Sequence, residues 1–470
     1  MTIKQIYTGC LAQGAYYIES EGEVAIIDPL REVGPYIEMA KMDNAKIKYI
    51  FETHFHADFV SGHVTLSEKT GSPIIYGPNA NPTFDAIIAE DGQEFKLGKL
   101  TFVVLHTPGH TMESTTYLLR DENGKDHAIF SGDTLFLGDV GRPDLAQKAA
   151  HMTQEELAAT LFDSLRNKIM PLSDDITVYP AHGAGSACGK NMMKETVDTL
   201  GNQKKVNYAL RADMTKEEFV KEVTDGLLPP PAYFPMNVKL NKEGYQSLDK
   251  VIDRSKNALD PQAFERMANE TGALVLDVRH QNDYAKAHVP RSIFIGLNGS
   301  FAPWVGDLIM DVQQEILLVV ELEKLEEAIT RLSRVGFDRV IGFLDGGMDA
   351  WQKAGMETDS VESISPEDLK AELLSNDDIN MIDVRRHTEY LSEHVPVAVN
   401  QPLSDINKHL DEIDTDEKNY IHCAGGYRSM IAASILKSRG IHNIVDISGG
   451  FDAIKEAGIK VTDYVCPSTL

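Results

Sequence analysis

The run Thr53-His54-Phe55-His56-Ala57-Asp58-Phe59 places two imidazoles and a carboxylate at alternate positions, directly after the apolar stretch Ile47-Lys48-Tyr49-Ile50-Phe51. Nitrogen and oxygen donors set on the loop where a buried strand ends are an arrangement for holding a metal ion. Three further apolar runs end in the same kind of residue. Residues 100–105 precede Thr107-Pro108-Gly109-His110, residues 128–130 precede Gly132-Asp133-Thr134, and residues 176–179 precede Pro180-Ala181-His182-Gly183. A lone histidine is more often a core or surface residue than a ligand. Loops at the carboxyl ends of neighbouring strands meet in one crevice, however, and four such segments in series predict a shared metal site.

A second chemistry is written near the other end of the chain. The strand-like Asn419-Tyr420-Ile421-His422 runs into Cys423-Ala424-Gly425-Gly426-Tyr427-Arg428-Ser429, and a helix is predicted over residues 430–439. A cysteine that opens a glycine-rich loop at a helix amino end lies among inward-pointing backbone amides, which stabilise a thiolate. Cys423 is therefore the expected nucleophile. Gly425 and Gly426 form the loop expected to receive substrate, and Arg428 is the expected cationic catalytic partner.

The elements that must carry these residues follow from periodicity and turn chemistry. Residues 1–27 alternate apolar and polar side chains between turns and read as an opening β-hairpin, ended by Asp28-Pro29. Residues 34–41 and 62–70 read as helices between strands, with His63 expected on the surface of the second. Cys10, on the first turn, reads either as a packed small residue or as part of a pocket. The glycine-punctuated loop 134–144 carries Arg142, whose planar fork could clamp a substrate carboxylate or pair locally with Asp144. Cys188, in the small-residue segment after His182, is placed near the metal and grouped with the substrate-binding residues. The alternative for it is plain packing. Pro229-Pro230-Pro231 and Pro235 cannot continue a helix or a central strand. They set the boundaries expected here: a metal-binding domain over 1–235, a linker with a charged helical stretch over 236–258, and two further domains over 259–357 and 358–470.

Those two further domains are an internal repeat. Leu274-Val275-Leu276-Asp277-Val278-Arg279 recurs as Asn380-Met381-Ile382-Asp383-Val384-Arg385, and His288-Val289-Pro290 recurs as His394-Val395-Pro396. Gly346-Gly347-Met348-Asp349-Ala350-Trp351 recurs as Gly449-Gly450-Phe451-Asp452-Ala453-Ile454. Each unit alternates β and α signals, as a parallel α/β domain does. The copies part at the nucleophile. In the first, the matching position falls at Val319 or Val320 within Leu318-Val319-Val320-Glu321-Leu322-Glu323, a stretch with no thiol, glycine or arginine. That copy is expected to be catalytically silent.

Composition narrows the partners. At 470 residues the chain exceeds one core, and roughly 100 to 200 residues per domain suggests three. A formal charge of −27 argues against nucleic acid, whose binding relies on Lys and Arg neutralising phosphates. No apolar run approaches the roughly 18 residues of a membrane span, and residues 1–14 lack the pattern of a signal peptide. A soluble, cytoplasmic protein is expected. Cys10, Cys188, Cys423 and Cys466 are too scattered for a disulfide framework, so free thiols are expected.

The first half of the chain resembles the metallo-β-lactamase superfamily, an αββα sandwich whose usual motif reads His-x-His-x-Asp-His, followed by a distant His, Asp and His that match His110, Asp133 and His182. Phe59 stands where that motif has its last histidine, and having no lone pair to donate it favours a single metal. The loop from Cys423 resembles the active loop of rhodaneses, with Arg428 five residues after the cysteine. The Asp-Val-Arg and Gly-Gly-Phe signatures fit the same family. The whole order, lactamase-like domain, cysteine-less rhodanese-like domain, rhodanese domain, resembles bacterial persulfide dioxygenase–rhodanese fusions. The resemblance implies one Fe(II) per chain on His54, His110 and Asp133, with His56, Asp58 and His182 as neighbours or ligands of an additional metal. Two histidines and a carboxylate are also the facial triad of non-haem iron oxygenases. The implied partners are small-molecule persulfides, O2, sulfite and thiosulfate, and relatives of the metal domain commonly form homo-oligomers. The alternative is a zinc-dependent thioester hydrolase of the glyoxalase II type fused to a sulfurtransferase.

Overall fold

The structure is a computed structural model and describes residues 1–375 and 379–466. The chain divides into two compact units, Met1–Lys250 with Leu332–Gly336, and Val251–Arg331 with Phe337–Leu470.

In the first unit two six-stranded sheets stack face to face. One runs in the order Thr2–Thr8, Gln13–Ser20, Glu23–Ile27, Lys46–Phe51, Ile74–Tyr76, Ile87–Ile88, and the other Asp198–Thr199, Thr177–Pro180, Asp126–Gly132, Thr115–Arg120, Leu100–His106, Glu94–Leu97. The pleat explains the layers. Along Gln13–Ser20, Tyr16 and Ile18 point into a core shared with Phe51, Phe102, Tyr117 and Phe130 of both sheets, while Ala15 and Tyr17 point the other way, among Tyr36, Ala40 and Leu66 of the helices Gly34–Met42 and His63–Thr70. Side chains at alternate positions face opposite sides of a sheet, so strands buried on both faces read as nearly continuous apolar runs. The outer face of the second sheet is covered likewise, by Leu161 and Leu165 near the end of Gln154–Ser164 and by Phe219 of Lys216–Thr224. The result is a helix, sheet, sheet, helix sandwich, as the resemblance to the metallo-β-lactamase superfamily implied. His63 departs from expectation. It is fully buried, boxed by Tyr76, Phe84 and Tyr245, and burial lowers its pKa to about 3. Its neighbours come from distant stretches, which helical periodicity alone does not show.

The stretch read as a linker is helical over Phe234–Glu243 and Leu248–Ser255, and through Lys250 it belongs to the first unit. The second unit holds two five-stranded parallel sheets of the same topology. The first runs Ala258–Leu259, Val340–Leu344, Ile316–Val319, Leu274–Asp277, Ile293–Phe294. The second runs Glu362–Ile364, Ile444–Ile447, Asn419–His422, Asn380–Asp383, Ala398–Asn400. Parallel strands need crossover helices, which cover the sheet faces and bury the apolar strand residues. No helix among the described residues is long and apolar enough to cross a membrane.

Candidate functional site

Each metal-ligand candidate of the first unit follows the end of a strand. His54, His56 and Asp58 follow Lys46–Phe51, His110 follows Leu100–His106, Asp133 follows Asp126–Gly132, and His182 follows Thr177–Pro180. Asp133 lies at the focus. Its Oδ2 is 3.4 Å from His110 Nε2 and 3.8 Å from His54 Nε2, and its Oδ1 is 3.6 Å from His182 Nε2. His54, His110 and Asp133 form one buried group of donor atoms within 4.8 Å of one another, and His56, Asp58 and His182 form another.

Hydrogen bonds set the tautomers. Thr53 donates its hydroxyl proton to Asp28 Oδ2 at 2.9 Å, so its oxygen accepts from His54 Nδ1 at 2.9 Å. His110 Nδ1 donates to the Arg142 carbonyl at 2.8 Å, and His182 Nδ1 to the Ala12 carbonyl at 3.3 Å. Carbonyls only accept, so in each ring the proton sits on Nδ1 and the Nε2 lone pair faces Asp133. Burial holds the His54 pKa well below the usual value, helped by the neighbouring His56, His110 and His182, which keeps the ring neutral and able to ligate.

His56 is treated differently. Its Nε2 lies 3.1 Å from Asp28 Oδ1 and 3.5 Å from Glu52 Oε2. Burial alone would lower its pKa, but Asp28, Glu52 and Asp58 together raise it to about 9. Phe59, fully buried, packs on the His56 ring with centroids 4.4 Å apart. Cys188 is also buried and groups with Asp133 and His182. Burial, then Asp58 and Asp133, push its thiol well above the ordinary range, so it stands there as a protonated thiol.

Of the two readings open for Arg142, the geometry is that of the ion pair. Nε and Nη2 donate to the two oxygens of Asp144 at 2.6 and 2.7 Å, Nη2 also donates to the Leu228 carbonyl at 2.5 Å, and Nη1 to the Ala187 carbonyl at 3.2 Å. A substrate carboxylate would have to displace partners already in place. Arg142 serves the site through its backbone, which accepts from His110 and donates to the Cys188 carbonyl at 3.0 Å. Sequence reasoning missed Asp28, Glu52 and Thr53. The signal was present: Asp28 ends the run Val24-Ala25-Ile26-Ile27 just as Asp133 ends its own.

In the second unit Cys423 follows Asn419–His422, is buried, and its Sγ accepts from the Gly426 amide at 3.1 Å. Gly426, at φ +94°, turns the loop into the helix Tyr427–Ser438, and Gly425 leaves an exposed side to the loop. Arg428 forms a bidentate pair with Glu389, at 2.7 and 2.9 Å. The backbone of Phe451 donates to the Cys423 carbonyl at 2.7 Å and that of Asp452 to the Ala424 carbonyl at 3.2 Å.

Residues 8–182 match the model of the metallo-beta-lactamase superfamily, and residues 260–354 and 365–457 match that of the rhodanese-like domain. A crystal structure of a metallo-beta-lactamase from Staphylococcus aureus subsp. aureus COL is similar at 30% identity and a TM-score of 0.64, over 73% of this chain and 98% of that one. The chain belongs to the metallo-β-lactamase superfamily. Its lactamase-fold domain is joined to two rhodanese-like domains. Among curated relatives, human mitochondrial persulfide dioxygenase ETHE1 is 29% identical over 221 residues, which is 47% of this chain and 78% of that protein. The hydroxyacylglutathione hydrolase of Brucella anthropi is 37% identical over 140 residues, 29% of this chain and 47% of that protein, so this chain spans about half the length of that relative.

The superfamily implies a metal, and the residues fit one. Among the described residues, Asp133 Oδ1 and Oδ2, Asp58 Oδ1 and Oδ2, and His182 Nε2 are buried without a hydrogen-bond partner. Stranding that many polar atoms in a low-dielectric interior is costly unless a cation collects them.

Proposed function

We propose that this chain is a non-haem iron persulfide dioxygenase that oxidises the sulfane sulfur of a small persulfide to sulfite, coupled to a rhodanese that converts sulfite to thiosulfate. The observation that carries the reading is the treatment of the second metal position. Phe59, where the motif has its last histidine, brings a ring with no donor atom that packs on His56, and His56 faces Asp28 and Glu52. His54, His110 and Asp133 remain as a two-histidine, one-carboxylate set, which suits Fe(II) with open positions better than a pair of zinc ions. Iron bound there would supply the redox chemistry with O2. The protein's share is positional: Thr53 and the Arg142 carbonyl fix the two imidazoles, and the buried walls exclude water. Cys188, kept as a thiol, offers a neutral sulfur surface beside the site, and Arg142 braces the loop that carries it.

In the second unit Cys423 would attack the outer sulfur of a donor persulfide R–S–SH. The S–S bond breaks, R–SH leaves, and the sulfur stays on Cys423 as a persulfide. Sulfite then attacks that outer sulfur, thiosulfate departs, and the cysteine thiolate is regenerated. Arg428, Gly425 and Gly426 would hold the incoming anion, Arg428 after exchange from Glu389.

The test is metal analysis of protein purified without added metal, with an oxygen-electrode trace against a low-molecular-weight persulfide. About one iron per chain and persulfide-dependent oxygen uptake are expected. Two zinc ions per chain with thioester hydrolysis and no oxygen uptake would establish the hydrolase instead.

A further inference from the structure

The loop that carries His56 and Asp58 is held by a residue far outside the matched lactamase region. Asn241 lies on the helix Phe234–Glu243, which begins at the end of the proline-rich stretch and ends at Gly244 with φ +91°. Its side chain is fully buried. Nδ2 donates to the His56 and Phe59 carbonyls, each at 2.8 Å, and Oδ1 accepts from the Ser61 amide at 2.8 Å. One amide group thus uses both protons and its oxygen on three backbone groups of a single loop, on both sides of Asp58.

The helix itself is tied down next to that contact. Thr83 donates from its amide to the Lys242 carbonyl at 2.9 Å and from its hydroxyl to the Glu243 carbonyl at 3.0 Å, which satisfies two of the carbonyls a helix end leaves open. The Val64 amide donates to the Tyr245 hydroxyl at 3.2 Å. The loop and the segment 241–245 are therefore fastened at several independent points.

We propose that Asn241 is a positioning residue of the metal site, fixing the loop 56–61 so that His56 stays turned toward Asp28 and Phe59 stays packed on its ring. An amide is the group that does this, because the loop presents two acceptors and one donor and Asn has the complementary set. Asp at the same position has the same shape but offers acceptors to two carbonyl oxygens. Buried carbonyls left without donors drive the loop to rearrange, and the ligand His54, two residues before it and with its ring centroid 4.2 Å from that of His56, shifts with it. The inference rests on the proposed metal set His54, His110 and Asp133.

The experiment uses the full chain, with Fe(II) affinity measured anaerobically by chelator competition. Asn241→Asp should bind Fe(II) at least tenfold more weakly, while Cys423-dependent sulfur transfer on the same chain, an internal record of folding, is retained. Asn237, one turn earlier on the helix, is equally buried but its side chain has no hydrogen-bond partner among the described residues. Asn237→Leu should therefore change thermal stability and leave Fe(II) affinity within about twofold. The proposal is overturned if Asn241→Asp keeps wild-type affinity, or if Asn237→Leu weakens iron as much. If Asn241→Asp fails to fold, Asn241→Ser, smaller and able to donate only one proton, is held to the same criterion. His110→Ala is run in parallel: wild-type Fe(II) affinity there removes the underlying metal assignment and this proposal with it, whereas loss in His110→Ala with retention in Asn241→Asp sinks this proposal alone.

Discussion

The two rhodanese-like repeats share a scaffold and differ in what stands on it. In both, an arginine folds back on the aspartate two residues before it, Arg279 on Asp277 and Arg385 on Asp383, with Nη2 to Oδ2 at 2.6 Å in each. In both, a histidine stacks on a tyrosine four residues earlier, His288 on Tyr284 at 3.9 Å and His394 on Tyr390 at 3.8 Å. These motifs brace the same frame in both repeats. The difference begins one residue past the central strand. Asp277 pairs with Val319 and Asp383 with His422, so the register puts Val320 opposite Cys423 and removes the slip the sequence leaves open. After Val320 the chain closes into a short 3-10 turn over Leu322–Lys324; after Cys423 it opens into the glycine loop. The lesson is that the repeats share the frame and differ in the loop set on it.

The strongest break of the comparison is at the thiol. Cys423→Ser should lower sulfur transfer by at least about a thousandfold, because a hydroxyl is a poor nucleophile at neutral pH and stores no sulfane sulfur. Oxygen uptake should persist and sulfite should accumulate in place of thiosulfate, read by chromatography of the products. Loss of oxygen uptake in a variant with normal metal content would mean that Cys423 takes part in the oxidation.

The glycine pairs give the next contrast. Gly347 and Gly450 have φ of +58° and +60°, so alanine is strained at either by about 1 kcal/mol. A Cβ on Gly347 meets nothing within 4 Å, whereas one on Gly450 would sit 2.4 Å from the Cys423 carbonyl and 2.5 Å from that of Ala424. Gly450→Ala should therefore displace the catalytic loop and reduce transfer by about tenfold or more, and Gly347→Ala should cost stability only. Equal transfer in the two variants, assayed side by side with thiosulfate and cyanide, would remove the contact argument.

A smaller effect separates the strands beside those glycines. Asp446 is buried and receives the Ser429 hydroxyl at 2.6 Å, while its counterpart in the first repeat is the apolar Phe343. Burial raises the Asp446 pKa from 3.8 to about 6, against the lowering effect of Ser429. Between these values the folded state holds a proton that the unfolded chain has released, so stability from this group falls as pH rises through about 4 to 6 and is level above. Asp446→Asn should flatten that part of the denaturation profile by about 1–3 kcal/mol. An unchanged slope in urea titrations across the window would contradict it.

The smallest effect concerns how the first repeat supports the second. Tyr427, four residues after Cys423, donates its hydroxyl to the Gly296 carbonyl at 2.7 Å. Tyr427→Phe should cost about 1 kcal/mol in chemical denaturation, with a measurable rise in KM for thiosulfate if that anchor steadies the loop.

Local patterns determined most of this molecule. The apolar runs ending in His54, His110, Asp133 and His182, the Cys423 loop and the doubled Asp-Val-Arg signature were legible because strand period, turn glycines and ligand chemistry act over a few residues. They pointed to the two parallel α/β domains and to the residues brought to each site, while the sandwich was implied by the family resemblance that those residues carry. What they could not contain is anything set by contacts across long sequence separation. Only the tertiary structure turns His56 toward Asp28, buries His63 among Phe84 and Tyr245, ties Arg142 to the Ala187 and Leu228 carbonyls, and brings Asn241 to a loop some 180 residues earlier. Each of those is a hydrogen bond or packing contact whose partner is chosen by the assembled fold, after the local elements have formed.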